Sequence, residues 1–524
     1  MAKFTRRDVN RGLLMLGLGT ASGALFSAVP ALAQDAVAKP KKGGTFTAVF
    51  INEPASMDPV IGNNPGNDGR SYNLFSEKLI SLDFDGNFQP WLAESWEEAE
   101  DGLSMTFKLQ KGVKFQDGTD FDAAAVKANL DRSRDPTPES RSAPYLTSIT
   151  SVEVIDPLTV KLNLKERTGS FLSNLAAEPG QMVSPKAVAE MGADFSRKPI
   201  GTGPFQLTSW SGGKIEAQRW DGYWRKDKNG EQLPYLDKVV FNVVPAAAVQ
   251  LVQMRSKGAV WGDNVLTQDY EAVGKDPNLE LVQAASKNTL YTSFNNSAAP
   301  FQGNLNLRKA VSHAINREAI AKIITGQYGG PAVCIEAPGS WAIGPELKGH
   351  TYDPDLAKKA YADSGHTGPI LMSIIQRDPD SQVAQLIQSM CKQVGIDVQI
   401  EVMERTAWVE KVGGGNFQMS LQSAGTPQPD PDRTFSQYYA RTAAQNYSRM
   451  SDDLIFDLVD KARSESDREK RRVMYVQIQQ QILDQYYQTF HYWVQRFAMR
   501  NKSVKGMKIE RGNSFILDET WIDA

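Results

Sequence analysis

The stretch from residue 370 to residue 402 limits the folds open to this chain more than any other. Ile370 to Ile375 is an apolar run of strand length, Val383 to Val394 has helical spacing and is stopped by Gly395, and Ile396 to Val402 is a second strand. Two strands joined through a helix form a βαβ unit, and a parallel pair of this kind needs helices over the sheet faces. An α/β architecture is therefore expected around it. Leu307, Val311, Ala314 and Ile315 keep helical spacing; Asn316 can cap a further helix carrying Ile320, Ile323 and Ile324 and ended by Gly326. Asp353-Pro354 opens another that Gly365 stops, and Ser466-Asp467-Arg468-Glu469 is a capping box for a helix running to about Tyr487.

Upstream of about residue 295 the texture is different. Gly44 to Phe50 alternates as a strand, and Met105, Phe107 and Leu109 alternate before a Lys111-Gly112 turn and then Val113 and Phe115, which predicts a hairpin. Val152 and Val154, a turn at Asp156-Pro157, and Val160, Leu162 and Leu164 predict another. One helix, about Ala123 to Arg132, interrupts these strands, and further strands follow at Phe205 to Trp210, Ile215 to Trp220 and Val239 to Val244. At 524 residues the chain is about three times a typical domain of roughly 150, so two or three domains are expected. With 41% hydrophobic and 23% charged residues it folds in water, neither a disordered chain nor a multi-span membrane protein. A net charge of −3 gives no basic footprint for nucleic acid.

Two cysteines and four histidines exclude repeated zinc sites and a multi-bridge disulfide scaffold. His313, His350, His366 and His491 are scattered without i,i+4 pairing, so no metal site is expected. Gly-rich phosphate loops, G-x-S-x-G and H-E-x-x-H are absent, and no cofactor is expected.

Met1 to Ala33 stands apart. Lys3, Arg6, Arg7 and Arg11 precede a Leu-, Gly- and Ala-rich run that ends in Ala31-Leu32-Ala33, the layout of a bacterial signal peptide cleaved after Ala33. Arg6-Arg7 after Thr5 matches the twin-arginine class of export signal, with Asn10 where a Leu is usual. A membrane anchor is the weaker alternative, because the run is Gly-rich and only modestly apolar. Cleavage would remove four basic and one acidic side chain, taking the formal charge to −6, and would place the mature protein in the periplasm. There Cys334 and Cys391 can form a disulfide; two separate buried thiols are the alternative.

Six collinear stretches resemble the peptide and nickel family of extracytoplasmic solute-binding proteins, the receptors of ABC importers (family 5, cluster C). They are LAESWEEAEDGLSMTFKLQKGVKFQDGTDFDAAAVKANLDR (Leu92 to Arg132), PIGTGPFQLTSW with RWDGYWR (Pro199 to Arg225), LPYLDKVVF (Leu233 to Phe241), SFNNSAAPFQGNLNLRKAVSHAINREAI (Ser293 to Ile320), YDPDLAKKAYADSG (Tyr352 to Gly365) and VGIDVQIEV (Val394 to Val402). The resemblance implies an α/β, two-lobed periplasmic-binding-protein fold with a hinge and an extra inserted subdomain. On that pattern, lobe I comprises residues 34–80, 200–285 and 490–524, a β-rich subdomain is inserted at 81–199, and lobe II covers 286–489. Two strands crossing near residues 285 and 490 would form the hinge. The lobes of such a receptor close over a small-molecule or peptide-like ligand, and the closed form delivers it to the ABC permease subunits; its only membrane contact is through them, and it is expected to act as a monomer.

The same resemblance places candidate contacts. Asn67, Asp68 and Arg70 lie in a loop that reaches the cleft in the family, although Gly/Asn/Asp runs are more often surface turns. Glu178 and Gln181 align with a ligand-contacting stretch of nickel-type relatives, with a solvated loop as the alternative. Arg377 and Asp378 follow a strand at the edge where open α/β sheets place ligand contacts, or form a local ion pair. Trp341 and Trp408 offer stacking faces, or are core. Asn446 borders the cleft. Peptide-binding relatives carry a Trp and then an Asp for the peptide ammonium within the region Leu421 to Asp432. This chain has no Trp there and offers Ala424 to Pro427 where the Asp is expected, with Asp430 at the later acidic position. Gln422, Ser423, Thr426 and Gln428 present neutral donors and acceptors instead, suited to a modified peptide, an opine or a sugar conjugate. The competing function is a secreted hydrolase using a cleft carboxylate pair, for which acidic residues alone are no evidence.

Overall fold

The computed structural model describes residues 39–61, 69–83, 86–135, 140, 142–377, 379–425, 430–443, 445–510 and 514–523, with backbone only at 69–70 and 284–287. The proposed export signal, with Arg6, Arg7 and Ala33, lies outside the described residues.

An eleven-stranded sheet organises the body. From one edge it runs Phe205–Ser211, Lys214–Arg219, Lys238–Val243, Thr45–Phe50, Trp261–Gly262, Gln488–Asn501, Leu279–Phe294, Met419–Gly425, Ile370–Ile375 and Val398–Met403, with Gly329–Pro331 pairing onto Gln488–Asn501 off that path. The expected βαβ unit is present: Ile370 to Ile375 lies parallel to Val398 to Met403, joined through the helix Asp380–Gln393. Ile370–Ile375 reads as a nearly continuous apolar run because both its faces are covered, with Ile370, Met372 and Ile374 fully buried, whereas the edge strand Val398–Met403 alternates and leaves Val402 exposed. At the centre, Leu279–Phe294 and Gln488–Asn501 run antiparallel from Leu279↔Asn501 to Ser293↔Gln488, with interruptions between Gln283 and Lys287 and between Leu290 and Tyr291. Val282 packs with the core built on Phe46, Phe205 and Phe241, whereas Leu290 and Phe294 belong to the core of Leu307, Ile370 and Ile387. The two long strands thus join two separate cores.

A second, four-stranded antiparallel sheet has the order Ala93–Glu98, Ser104–Leu109, Thr159–Leu164, Ile149–Asp156. The hairpin at 149–164 forms as expected. The one expected at 105–115 does not: Ser104–Leu109 pairs with Ala93–Glu98 and Thr159–Leu164. Val113 and Phe115 are indeed buried against this sheet, but their segment folds on itself through a Lys114↔Asp120 bridge, and Phe115 accepts the amide of Gly118. Alternation signalled which residues face inward; it carried no information about the partner strand. Phe107, fully buried here, would cost about 3–5 kcal/mol if truncated to Ala.

The helices begin where the side chains can cap them. Asp122, Asn316 and Asp353 each accept the backbone N–H three residues on, at 2.8, 2.9 and 2.9 Å, each worth about 1 kcal/mol. Gly365 ends Pro354–Ser364 in the left-handed conformation at φ 64°. In the last long helix, Arg468–Asp484, the cap is Asp467 rather than Ser466: its carboxylate accepts from Glu469 and Lys470, and Glu465 takes the amides of Ser466 and Asp467. No helix among the described residues is long and apolar enough to cross a membrane.

Buried Glu77 ties distant segments together. Its carboxylate accepts from Trp91 Nε1 at 2.9 Å, Tyr223 Oη at 2.7 Å and Trp224 Nε1 at 2.8 Å; burial raises its pKa against the pull of Trp224, Tyr223 and the nearby Arg225. The disulfide is not formed. Cys334 and Cys391 are separate free thiols, both buried; Cys334 lies against the Glu336 carbonyl, and Cys391 packs in the core of Ile387 and Val394. Burial pushes the Cys391 thiol up to about 12 and that of Cys334 up as well, so both stay protonated.

Candidate functional site

Tyr145, just before the hairpin at 149–164, and residues 169–178, just after it, meet residues 430–433 and 463–475 along a buried seam. The Gly169 amide donates to the Arg463 carbonyl at 2.7 Å. A side-chain carbon at Gly169 would sit 1.9 Å from the Glu465 carbonyl oxygen, so the approach requires glycine. Beneath it Arg471 grips Asp430 through two N–H donors, at 2.8 and 2.5 Å, and donates further to Tyr475 Oη at 2.9 Å and the Gly169 carbonyl at 3.3 Å. Arg471 is 3% exposed and Asp430 9%. Burial raises the Asp430 carboxyl pKa and Arg471 pulls it back; burial also opposes the charge on Arg471, and the Asp430 carboxylate more than compensates. Ser170 Oγ donates to Asp432 at 2.8 Å, and Arg433 lies over the Tyr145 ring at 4.4 Å and 4.0 Å from Glu178. Charge and shape therefore hold the inserted β-rich part of the chain against the helical part.

A second cluster sits on the sheet itself. Tyr291 on the strand Leu279–Phe294 stands opposite Gln422 on Met419–Gly425 and opposite Phe490 on Gln488–Asn501, with the two aromatic rings 5.7 Å apart. Directly opposed residues in antiparallel strands share a face. Tyr291, Tyr438 and Tyr439 belong to one buried cluster, and Tyr447 packs at its border. Burial raises the Tyr291 hydroxyl pKa well above its usual range; the groups acting on it electrostatically are Tyr438, Tyr439 and Tyr447, with no charged side chain among them. Gln422 is 3% exposed, and neither its carboxamide oxygen nor its nitrogen has a hydrogen-bond partner among the described residues.

The sequence-derived candidates distribute around these two clusters. Glu178, Trp341 and Asp430 come together at the seam, where Trp341 is half-buried under the guanidinium groups of Arg468 at 5.1 Å and Arg471 at 5.2 Å, beside the Tyr475 ring. Gln422, Trp408 and Asn446 gather at the tyrosine cluster. Trp408 is buried, donates to the Ser373 carbonyl at 3.4 Å and meets Tyr447 ring to ring at 5.7 Å. Asn446 donates to the Met450 carbonyl and accepts from Ser448 Oγ. Ser423 stands opposite Leu290, on the other face of the strand from Gln422. Gln181 is buried and engaged by Ser76 at 3.0 Å and Asn73 at 2.8 Å, and Arg377 pairs with Asp380 at 2.8 Å. Asn67, Asp68, Asp378, Thr426 and Gln428 lie outside the described residues, as does the side chain of Arg70. Tyr291, Tyr438, Arg433 and Arg471 were not singled out from the sequence. The spacing of Arg471 and Tyr475 on one helix face was the available signal, but a charged residue on a helix ordinarily reads as solvated.

Two cores joined by a pair of crossing strands, with an inserted β-sheet fastened across to the far core, define a two-lobed solute receptor of the periplasmic-binding-protein type. The chain belongs to the bacterial extracellular solute-binding proteins, family 5, which it matches over residues 87–446. It is 33% identical over 407 residues to the glutathione-binding protein GsiB of Salmonella paratyphi A, covering 76% of each chain. Its fold matches that of the ABC transporter-associated periplasmic binding protein DppA of Helicobacter pylori, solved with the peptide STSA (TM-score 0.77, 24% identity, 92% of this chain and 99% of that one). It also matches AgaA of A. tumefaciens R10, solved with agropinic acid (TM-score 0.76, 25% identity, 92% and 99%). The protein is thus a substrate-binding component of an ABC importer, in a family of solute-binding proteins rather than of enzymes.

Proposed function

We propose that this receptor captures a small peptide-like solute between its lobes in the periplasm and presents it, as a monomer, to the permease subunits, catalysing no reaction itself. Glutathione is the first candidate, because the 33%-identical relative binds it. Export follows the twin-arginine route with cleavage after Ala33, supported by Arg6-Arg7 and Ala31-Leu32-Ala33. Lobe I comprises residues 34–80, 200–285 and 490–524, the subdomain 81–199 and lobe II 286–489. The grouping of the flanking strands on either side of Leu279–Phe294 and Gln488–Asn501 supports this division.

The observation that carries the ligand class is the commitment of Asp430. An acid fully engaged by Arg471 is not offered to a ligand ammonium. Recognition therefore rests on neutral groups, which favours a solute presenting amides over one held chiefly by its charged amino terminus. Calorimetry and thermal shift with glutathione, the peptide STSA and agropinic acid test this. Micromolar binding, about −8 kcal/mol, is expected for an amide-bearing probe, with saturating ligand raising stability by a few kcal/mol. Absence of any shift with all three would overturn the reading.

A further inference from the structure

We propose that Gln422, set beside Tyr291 at the edge of the tyrosine cluster, recognises the N–H and C=O of one extended residue of the bound peptide-like solute. The inference rests on the peptide-like reading above and adds the group that reads the chain. Nearly all buried polar side-chain atoms in a folded protein have partners, because an unmade bond in a dry environment forfeits the hydration it gave up. Among the described residues Gln422 leaves both ends of its carboxamide unpaired, and it does so on a sheet strand with an aromatic partner directly opposite.

A carboxamide presents one acceptor and one donor side by side. In an extended chain, the N–H and C=O of a single residue point to the same side, as they do in an antiparallel ladder. The two patterns are complementary: Gln422 Nε2 donates to the carbonyl while Oε1 accepts the N–H. A carboxylate or ammonium offers only acceptors or only donors and meets half of this arrangement. The surroundings agree. Tyr291 is fully buried with its ring 5.7 Å from that of Phe490, and a dry aromatic wall of this kind suits an uncharged peptide unit better than a charged one. The neighbouring Ser423 points to the opposite face and takes no part.

The test is Gln422→Met in the full mature receptor, a substitution of equal reach that removes both polar atoms. Thermal unfolding is measured without ligand, and calorimetry with glutathione, the peptide STSA and tri-alanine. The expected result is an unliganded melting temperature equal to or above wild type, since two unpaired polar atoms are gone, with affinity for the best-binding probe weakened about 10- to 100-fold. That probe, methylated on the amide nitrogen of its central residue, binds wild type more weakly by a similar factor but costs the variant little further. If the variant binds as tightly as wild type, Gln422 is not the reader and the receptor assignment stands. If the unliganded variant is destabilised by several degrees, the carboxamide serves the fold and the inference is overturned. If wild type binds none of the probes, the peptide-like reading fails and takes this one with it.

Discussion

Replacing Arg471 with Met removes four donated hydrogen bonds at once and strands a buried carboxylate. Two of the bonds go to Asp430, one to Tyr475 and one to the Gly169 carbonyl. What remains around Asp430 is the amide of Asp432 at 2.9 Å and Ser173 Oγ at 3.5 Å, neither of which carries charge. Removing one partner of a buried pair costs about 3–5 kcal/mol, mostly the penalty of the charge left behind. Asp430→Asn keeps an acceptor for the Asp432 amide while discharging the site. The double variant should therefore recover about 2 kcal/mol relative to the sum of the two singles. Equilibrium urea unfolding at pH 7, followed by tryptophan fluorescence, measures all four corners of the cycle. The pH dependence has a definite sign: without Arg471 the folded Asp430 pKa rises further above its unfolded value near 3.9, so the deficit of Arg471→Met should be smallest near pH 4 and grow as pH increases. A loss below about 1 kcal/mol for the single variant, or a coupling energy near zero, would show that the pair is solvated and the seam is not held by charge.

Three further outcomes are expected. His350, with its pKa lowered to about 4, and His491, lowered to about 3, are held neutral by burial, with nearby Arg317 adding to the depression of both; the unfolded chain takes up protons first, so stability present above pH 6.5 is lost on acidification, by about 3 kcal/mol from His350 alone at pH 3. Urea midpoints at pH 7, 5 and 4 that fail to decline would contradict their burial. Glu77→Gln turns an acceptor for three donors into a group that must donate as well, and should lower stability by about 2–3 kcal/mol in thermal unfolding; an unchanged melting temperature would mean that Trp91, Tyr223 and Trp224 find other partners. Both cysteines should be silent to a thiol reagent in the native protein and react fully in denaturant, with no change in melting temperature on adding reductant; a reductant-sensitive transition would show that they are bonded after all.

Elements written in adjacent residues were legible in the sequence. Asp353, Pro354 and Gly365 carry both ends of a helix, and Ile370–Ile375 has the bounds its apolar run predicts, because caps, stops and short periodicities act within a few residues. Partners chosen across the chain were not. Ser104–Leu109 alternates in the same way whether it pairs with residue 113 or residue 160, and only the assembled sheet decides. The two-lobed architecture came from the collinear family pattern, not from periodicity. At the site, Gln422 was recognisable as a neutral donor and acceptor, but its isolation was not, since being unpaired is a property of its neighbours. Arg471 was invisible for the opposite reason: it becomes a buried residue only when the Gly169 turn, some three hundred positions away in sequence, closes over it.

The interruption in the central strand pair has a bearing on how the molecule breathes. Amides in the middle of a large sheet ordinarily exchange last with solvent deuterium, because freeing them requires global unfolding. Here the register shifts between Gln283↔Phe497 and Lys287↔Gln495, setting three residues of one strand against Arg496 alone halfway along the longest strand of the sheet. A labelling time course should therefore find its fastest backbone positions at the waist of the sheet and slow ones on both sides, around Val282 and again around Thr292. The protection profile would be that of two cooperative blocks sharing one hydrogen-bonded surface, each able to loosen at its inner border while its own core stays shut.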